Sequence, residues 1–293
     1  EDGCVPRNLL VDAVKDIQEI IQEYNLNATL VFHAGDGNIH PNIVFDERDI
    51  KKTNRIRKIA EKILEVYLKY NGTISAEHGI GTEKRAYISL QHTAQTINLA
   101  EKIKNQIDEK NLSNPDKKIP VSHDISKKLM KKKIVLPSKL ITLQEEIKER
   151  FNKKQKSIIY GSKHFIKESD TLLPLSSSEL TELIEFDTKN MTVTVESGFN
   201  MKNLNNLLKE KGFMTFPDYE GTVGGFISLG LWREIRDFLL SLSFFLSNSD
   251  FIITGSKNMK DTSLYEIGRM LIGSRGTLVF ITCLLYTSDA ADE

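Results

Sequence analysis

The sequence predicts an α+β protein with two domains. Three observations carry this prediction. Two apolar, partly β-branched segments flank a glycine-rich turn near residue 35, and apolar residues recur at helical spacing over residues 51–70. A second series of strand and helix patterns begins near residue 157. The chain has 293 residues, which is enough for two modest hydrophobic cores.

The first pair of strands surrounds residues 33–40, His-Ala-Gly-Asp-Gly-Asn-Ile-His. Gly-Asp-Gly-Asn is strong turn chemistry, so we expect a β-hairpin in which His33 and His40 face each other at the mouth of the loop. Directly paired residues have Cβ atoms roughly 5 Å apart, and two imidazoles at that separation can share one metal ion. The period of two places Asn42 on the same face as His40.

The helix over residues 51–70 is predicted to end at Asn71 and Gly72. Residues 73–75 predict a short strand, and Glu77 and His78 follow it. These two neighbours point in different directions, so Glu77 can complete a metal site while His78 faces a substrate as acid or base. For either motif alone, a purely structural role of the histidines is an equal alternative; the two motifs together favour the chemical interpretation.

Residues 126–154 are rich in lysine, and residues 123–154 are predicted to form a linker after a first domain of residues 1–122. We favour a solvated linker and helix face over a nucleic-acid patch. The chain has 40 basic and 40 acidic residues, so its net charge implies no strong attraction to nucleic acid or to a membrane surface.

Residues 155–282 predict the second domain. Residues 157–160 read as a strand that runs into Gly161, and residues 192–198 as an alternating strand. An amphipathic helix is predicted over residues 201–212, with a stop at Gly212.

A glycine-rich run, Gly-Thr-Val-Gly-Gly-Phe-Ile-Ser-Leu-Gly, occupies residues 221–230. Its backbone amides can cradle a pyrophosphate, although such runs are as often simple turns. The apolar run over residues 238–246 is far shorter than the roughly 20 residues that span a bilayer, so we interpret it as a core strand.

Residues 1–120 resemble the C-terminal substrate domain of FAD-linked oxidases of the vanillyl-alcohol-oxidase type, and most of all the glycolate oxidase D-subunit branch. The resemblance implies a ferredoxin-like domain in which His33, His40 and Glu77 bind zinc or manganese. It also implies that Asn42 contacts the substrate and that His78 takes the hydroxyl proton of a D-2-hydroxy acid. The nitrogen and oxygen ligands suit a borderline metal.

Residues 155–282 are similar to the PCMH-type FAD-binding domain of the same superfamily, most of all to the glycolate oxidase E-subunit branch. The order of the glycine motifs carries this resemblance. What it implies is an extended FAD held in an α+β domain rather than in a Rossmann fold. The implied FAD-binding residues are Gly161, Ser162, Lys163, His164, Gly221, Thr222, Val223, Gly224, Gly225, Ser228, Gly276 and Thr277.

Both ends of the chain are expected to be artificial boundaries. The chain begins at Glu1, whereas a further FAD-binding domain precedes the metal motifs in the resembled family. Residues 283–293 are similar to the translation of a transposase sequencing adapter, and we expect them to lie outside the fold. We therefore expect a piece of a D–E subunit fusion in which both domains are truncated. Cys4 is then left alone, which fits a reducing cytoplasm.

These features predict an FAD-dependent enzyme that oxidises glycolate or a small D-2-hydroxy acid, although this piece alone should turn over slowly. An iron–sulfur subunit or a quinone would accept the electrons. We expect a cytoplasmic protein without a transmembrane segment, peripheral at the inner face of the plasma membrane through a partner subunit. The alternatives are a non-catalytic FAD-binding or assembly subunit and, less favoured, a zinc hydrolase. Metal content distinguishes the enzyme from the assembly subunit.

Overall fold

The computed structural model describes residues 1–120, 132–162 and 172–287. The chain divides into two compact units. Unit 1 comprises Glu1–Lys132 and Ser256–Tyr265, and unit 2 comprises Lys133–Gly255 and Glu266–Glu293. Each unit combines helices with a β-sheet, which confirms the predicted α+β class.

Unit 1 contains a three-stranded antiparallel sheet with the strand order β1-β3-β2. Two long helices, α1 and α2, pack together beside it. The elements of unit 1 are β1 (Gly3–Cys4), α1 (Leu10–Glu23), β2 (Ala28–His33), β3 (Asn38–Ile43), α2 (Ile50–Lys69), α3 (Ile88–Gln91) and α4 (Ala94–Ile107), with 3₁₀ turns at Arg7–Leu9 and Arg85–Tyr87.

Helix α2 confirms the helix predicted over residues 51–70. Asp49 caps its start by accepting a hydrogen bond from the backbone N–H of Lys52. At its end Asn71 has a φ of 56°, and the N–H of Gly72 donates to the carbonyl of Tyr67, a Schellman closure that satisfies terminal carbonyls. The buried Tyr67 hydroxyl donates to the backbone carbonyl of Ile39 over 3.0 Å, which ties α2 to the strand that carries His40.

The short strand predicted for residues 73–75 is reduced in the structure to an isolated bridge between Cys4 and Thr73. Beyond Thr73 the backbone N–H of Ile74 donates to the side chain of Gln91, and those of residues 76–78 donate to the carboxylate of Asp2. Because side chains take these donors, no ladder forms here among the described residues.

Unit 2 contains a five-stranded antiparallel sheet with the order β6-β7-β10-β8-β9 and a parallel pair β4-β5. The predicted strands near residues 157, 192 and 238 and the helix from residue 201 are confirmed. The elements of unit 2 are α5 (Ser138–Asn152), β4 (Ser157–Tyr160), β5 (Leu173–Ser176), β6 (Leu183–Asp187), β7 (Thr192–Glu196), α6 (Met201–Glu210), α7 (Val223–Leu229), α8 (Ile235–Phe238), β8 (Leu239–Phe245), β9 (Phe251–Gly255), α9 (Ile267–Met270) and β10 (Phe280–Thr287).

The region predicted as a linker differs in the structure. Helix α5 occupies much of residues 123–154, and its Leu140 and Ile147 are buried in a core cluster with Phe245 and Phe280. The dense charges of this helix lie on its other positions, so the composition concealed an amphipathic helix.

The strand β10 also departs from expectation, because it extends through residues 283–287, which we expected to lie outside the fold. Leu284 and Tyr286 are buried, and the strand pairs with β7 on one side and β8 on the other. These residues are therefore the middle of the sheet. Residues 288–293 lie outside the described residues.

Both cysteines, Cys4 and Cys283, are free thiols. Burial raises the pKa of each to about 12, which keeps both protonated at neutral pH. Within the described ranges, none of the helices combines the length and apolar character that a membrane crossing requires.

Candidate functional site

The hairpin of unit 1 sets the positions of the first two histidines. Its register pairs His33 with Asn38 and His40 with Val31, so the expectation that His33 and His40 face each other directly is wrong. The four-residue loop of residues 34–37 brings Asn38, rather than His40, opposite His33. The two histidines lie diagonally instead, and their ring centroids are 5.3 Å apart. Diagonal neighbours on one face are still within reach of each other.

Glu77 lies between the two histidines. Its Oε1 is 3.8 Å from Nε2 of His33, and its Oε2 is 3.6 Å from Nε2 of His40. The structure thus brings together the three residues that the sequence predicted as metal ligands. The ring of His78, the predicted base, is 5.2 Å from that of His40, and its side chain is exposed.

A tighter group of donors overlaps this one. Asp2, His40, Glu77 and His78 each offer a ligand atom, and these atoms all lie within 4.8 Å of one another. Two ligands that each lie about 2.0–2.2 Å from zinc are at most about 4.4 Å apart, so the spacing of these atoms is close to what zinc requires. Within the described residues, the Oδ1 atom of Asp2 is buried without a hydrogen-bond partner. A nitrogen and oxygen donor set with an unpaired buried carboxylate oxygen fits a divalent cation.

The protonation states suit metal binding. Burial lowers the pKa of His40, although Asp2 and Glu77 oppose that shift. The Lys260 ammonium lowers the pKa of Glu77 by a hydrogen bond. The imidazole of His40 is therefore neutral and the carboxylate of Glu77 ionised near neutral pH, and these are the forms that bind metals.

Asp2 organises the turn that carries Glu77 and His78. Its Oδ2 accepts the backbone N–H groups of Ala76, Glu77 and His78 over 3.1, 3.0 and 2.9 Å, and the hydroxyl of Ser75 over 3.1 Å. Burial alone would raise the pKa of Asp2, but the backbone donors outweigh it and lower the pKa. The sequence analysis missed this residue, because nothing local in the sequence marks it.

Lys260 is a second residue that sequence reasoning missed. It lies in Ser256–Tyr265, which belongs to unit 1 although it is distant in sequence. Its Nζ is 2.6 Å from Oε1 of Glu77 and 2.7 Å from Oδ2 of Asp36. The segment is held by a backbone hydrogen bond from Thr262 to Ser75. Lys260 therefore places a positive charge at the edge of the candidate metal site.

Asn42, predicted to contact the substrate, lies on β3 two residues beyond His40. It is exposed and pairs with Thr29 across the hairpin. This position leaves its amide accessible, and its role in substrate binding stays a prediction.

Unit 2 contains a cleft of about 340 Å³. Predicted FAD-binding residues that line it are Gly161, Ser162, Thr222, Gly224, Gly225, Ser228 and Gly276. A Cβ on Gly161 would come within 2.3 Å of Oγ1 of Thr222, so this position needs glycine for close approach. The sequence motifs from three separate stretches thus meet around one cavity.

The structure does not place the other predicted FAD-binding residues at the cleft. Gly221, Val223 and Thr277 are not among the residues that line the cleft. Lys163 and His164 lie outside the described residues.

The predicted cradle of free amides differs in the structure. The N–H groups of Val223, Gly224 and Gly225 donate to the carbonyls of Phe199 and Ser197 and to the hydroxyl of Thr222, respectively. These three amides are already used in holding α7 in place. The glycines therefore provide space at the cleft, rather than free N–H donors at these positions.

Further polar residues line the cleft that the sequence analysis did not assign. They are Ser177, Ser197, Tyr219 and Arg275. Within the described residues, the buried hydroxyl of Ser197 has no hydrogen-bond partner. An unpaired hydroxyl beside glycine-lined space fits a ligand with many hydrogen-bonding atoms, as FAD has.

Comparison with known families identifies the class of protein. Residues 1–118 match the model of the C-terminal domain of FAD-linked oxidases, and residues 132–255 match that of an FAD-binding domain. The first match is to a domain of FAD-linked oxidases and the second is to an FAD-binding domain, and together the two cover most of the chain.

Among individual proteins, the chain is 39% identical over 122 residues to glycolate oxidase subunit GlcD of Escherichia coli (strain K12), which is 42% of this chain and 24% of GlcD. It is 33% identical over 117 residues to GlcD of Bacillus subtilis (strain 168), covering 40% and 25%. It is 32% identical over 119 residues to mitochondrial D-2-hydroxyglutarate dehydrogenase of Danio rerio, covering 41% and 22%. The chain thus matches about a quarter of the length of these relatives.

A solved structure of alkyldihydroxyacetonephosphate synthase has a TM-score of 0.42 and 17% sequence identity, and the match covers 52% of this chain and 31% of that one.

Proposed function

We propose that this chain is part of an FAD-dependent oxidoreductase that converts glycolate or a small D-2-hydroxy acid, such as D-lactate, to the 2-oxo acid. The observation that supports it best is the position of Glu77 between His33 and His40, with His78 beside them. The similarity to proteins named glycolate oxidase subunit and D-2-hydroxyglutarate dehydrogenase supports the same substrate class.

In this proposal His78 is the catalytic base. Its exposed imidazole accepts the proton of the substrate C2 hydroxyl, while the hydrogen at C2 leaves as a hydride and the C–O bond becomes a carbonyl. Asn42 hydrogen-bonds the substrate from the exposed end of β3. Asp2 fixes the backbone of His78, which keeps the base in place.

Two groups would assist this chemistry when bound. A divalent cation, zinc or manganese, held by His33, His40 and Glu77 supplies a Lewis acid that lowers the pKa of the substrate hydroxyl. Bound FAD would supply the hydride acceptor. An iron–sulfur subunit or a quinone at the inner face of the plasma membrane would then take the electrons.

A second candidate is a non-catalytic FAD-binding or assembly subunit. The observation that favours it is an ion pair. The Nζ of Lys260 lies 2.6 Å from Oε1 of Glu77 and already neutralises that carboxylate. In that case the two histidines and Glu77 persist as scaffold, and the cleft of unit 2 alone retains its ligand.

The test compares the wild type with His78→Ala and His33→Ala in the complete natural enzyme. The measurements are zinc and manganese content and the bleaching of the visible flavin band by glycolate or D-lactate. We expect His78→Ala to slow bleaching by about 10²–10⁴-fold, and to keep the metal if His33, His40 and Glu77 are its ligands. We expect His33→Ala to lose the metal as well. Unchanged bleaching in both variants would support the hypothesis of a non-catalytic assembly subunit and would reject the hypothesis that this chain is catalytic through His78 and the metal.

A further inference from the structure

Asp2 has a buried carboxylate in which only one of the two oxygens accepts hydrogen bonds among the described residues. The residue is fully buried, and its Oδ2 accepts three consecutive backbone N–H groups and one hydroxyl of the turn at residues 75–78. Its Oδ1 lies 3.8 Å from Nδ1 of His40, and within the described residues it has no hydrogen-bond partner. An unpaired buried carboxylate oxygen costs stability, so it demands an explanation.

The imidazole of His40 has two different sides. Its Nε2 lies 3.6 Å from Oε2 of Glu77 and 3.1 Å from Nδ2 of Asn38. With the amide of Asn38 in this orientation its nitrogen donates, so Nε2 is the acceptor in that contact and carries the lone pair. In a neutral imidazole the proton is then on Nδ1, the nitrogen that faces Asp2.

We propose that Asp2 is the positioning residue of this site: its Oδ1 accepts the Nδ1–H of His40 and so fixes the tautomer whose Nε2 lone pair faces Glu77. The present separation of 3.8 Å is too long for a hydrogen bond, and a movement of about 1 Å closes it. One carboxylate thereby sets both the direction of His40 and the backbone of Glu77 and His78. This inference rests on the proposed metal site and deepens it.

The surroundings support a fixed anion at this place. Lys84 donates from Nζ to the backbone carbonyl of Asp2 over 3.0 Å, and its ammonium is also buried. Because the carboxylate is locked by four donors, it can orient an imidazole with little entropic cost. A carboxylate behind a ligating histidine makes that ligand more basic and typically changes metal affinity by about 10–100-fold.

The first measurement is the tautomer of His40 in the metal-free full chain, read from ¹⁵N chemical shifts of the imidazole ring and assigned with His40→Gln. The Nδ1–H form is expected. An Nε2–H form would overturn the proposal, because Asp2 would then face a bare Nδ1 lone pair. That result would instead fit Asp2 and Nδ1 as two direct ligands of one ion. This measurement needs no Asp2 variant, so it does not depend on whether such a variant folds.

The second measurement is zinc affinity in Asp2→Asn, with the exposed Asp12→Asn as the matched control. The amide of Asp2→Asn keeps an oxygen for the turn but presents N–H groups to Nδ1 of His40. This reversal favours the Nε2–H tautomer, so we expect zinc to bind about 10–100-fold more weakly and the ¹⁵N pattern to invert. The side chain of Asp12 is 56% exposed, so Asp12→Asn should change neither the zinc affinity nor the ¹⁵N pattern of His40.

The two failures are distinguishable. If His40→Gln abolishes zinc binding while Asp2→Asn binds zinc as the wild type does, the role of Asp2 is wrong and the metal site stands. If neither the wild type nor the variants bind zinc, the proposed metal site fails, and the tautomer of His40 alone decides the role of Asp2.

Discussion

Unit 1 buries acidic and basic side chains, whereas unit 2 buries mainly hydroxyls, amides and hydrocarbon. Asp2, His40, Lys84, Arg85 and His92 are buried in unit 1. Among the described residues of unit 2, Glu196 is the only buried acidic or basic side chain. The candidate site of unit 1 is correspondingly made of charged groups, and the cleft of unit 2 of glycines and hydroxyls.

This difference indicates that the two candidate sites depend on different physical properties. In unit 1 the chemistry depends on charge and protonation, so conservative substitutions at a few side chains should alter it while the backbone stays unchanged. In unit 2 the recognition depends on empty space next to the backbone, so a single added methyl group should matter more than a lost charge. Substitutions in both units, and the pH dependence of stability, test this contrast.

The largest effect should be an acid sensitivity that arises in unit 1. Burial, together with Lys132 and Lys118, lowers the pKa of His92 to about 3. An unfolded histidine has a pKa of about 6.5, so below that pH the unfolded state takes up a proton that the folded state does not. The His92 contribution to stability is therefore complete above pH ~6.5 and is lost progressively towards pH ~3, at about 1.4 kcal/mol per pH unit.

Urea unfolding of the wild type and His92→Gln between pH ~6.5 and ~4.5 measures this slope, and the two should differ by about 2 kcal/mol over that range. The control is Ser263→Ala, which removes the hydroxyl 2.6 Å from Nε2 of His92 but keeps the buried imidazole. Its slope should equal that of the wild type. Parallel slopes for the wild type and His92→Gln would contradict the contrast between the units.

The next effect should appear in the cleft of unit 2. In Gly161→Ala the new methyl group would stand 2.3 Å from Oγ1 of Thr222, the hydroxyl that caps α7 by accepting the N–H of Gly225. Loss of that cap costs about 1 kcal/mol, and the displaced hydroxyl narrows the cleft. We expect FAD to bind at least about tenfold more weakly in equilibrium dialysis.

Gly35→Ala is the control for this substitution, because a Cβ there has open space around it. Its FAD affinity should match that of the wild type. Equal FAD binding by Gly161→Ala would mean that the cleft tolerates a methyl group and that space is not what it provides.

The smallest effect should come from Lys260. Lys260→Met removes a positive charge 2.6 Å from Glu77 at a partly exposed pair, which corresponds to about 1 kcal/mol or less. We expect zinc to bind up to about fivefold more tightly by calorimetric titration. Lys69→Met is a matched control, since Lys69 pairs with Asp16 at the same 2.6 Å. Weaker zinc binding by Lys260→Met would show that the ammonium supports the site rather than competing with the cation.

Local sequence patterns predicted most elements near the candidate sites. The turn residues of the hairpin and the apolar spacing of α2 specify their structures locally, so both were predictable. The register of the hairpin was not, because loop length decides whether His33 pairs with Asn38 or with His40. The buried face of the charge-rich α5 was missed because its two buried residues are few among its lysines and glutamates.

The residues that complete the unit 1 site could not be predicted for a different reason. Asp2 and Lys260 are separated from Glu77 by 75 and 183 positions, and no periodicity links them to it. Their carboxylate and ammonium meet Glu77 only through tertiary structure. Residues 283–287 show the same limit: their buried side chains in β10 follow from pairing with β7 and β8.

The segment Ser256–Tyr265 has a consequence for modularity. It belongs to unit 1, while the chain on both sides of it belongs to unit 2. A fragment cut after Lys132 would lack it, and the side chains of Gln91 and His92 would lose Ser263, to which both hydrogen-bond. The boundary between the two family matches in the sequence is thus not a place where the protein separates into independent parts, and any exchange of one half for a relative's must carry these ten residues with it.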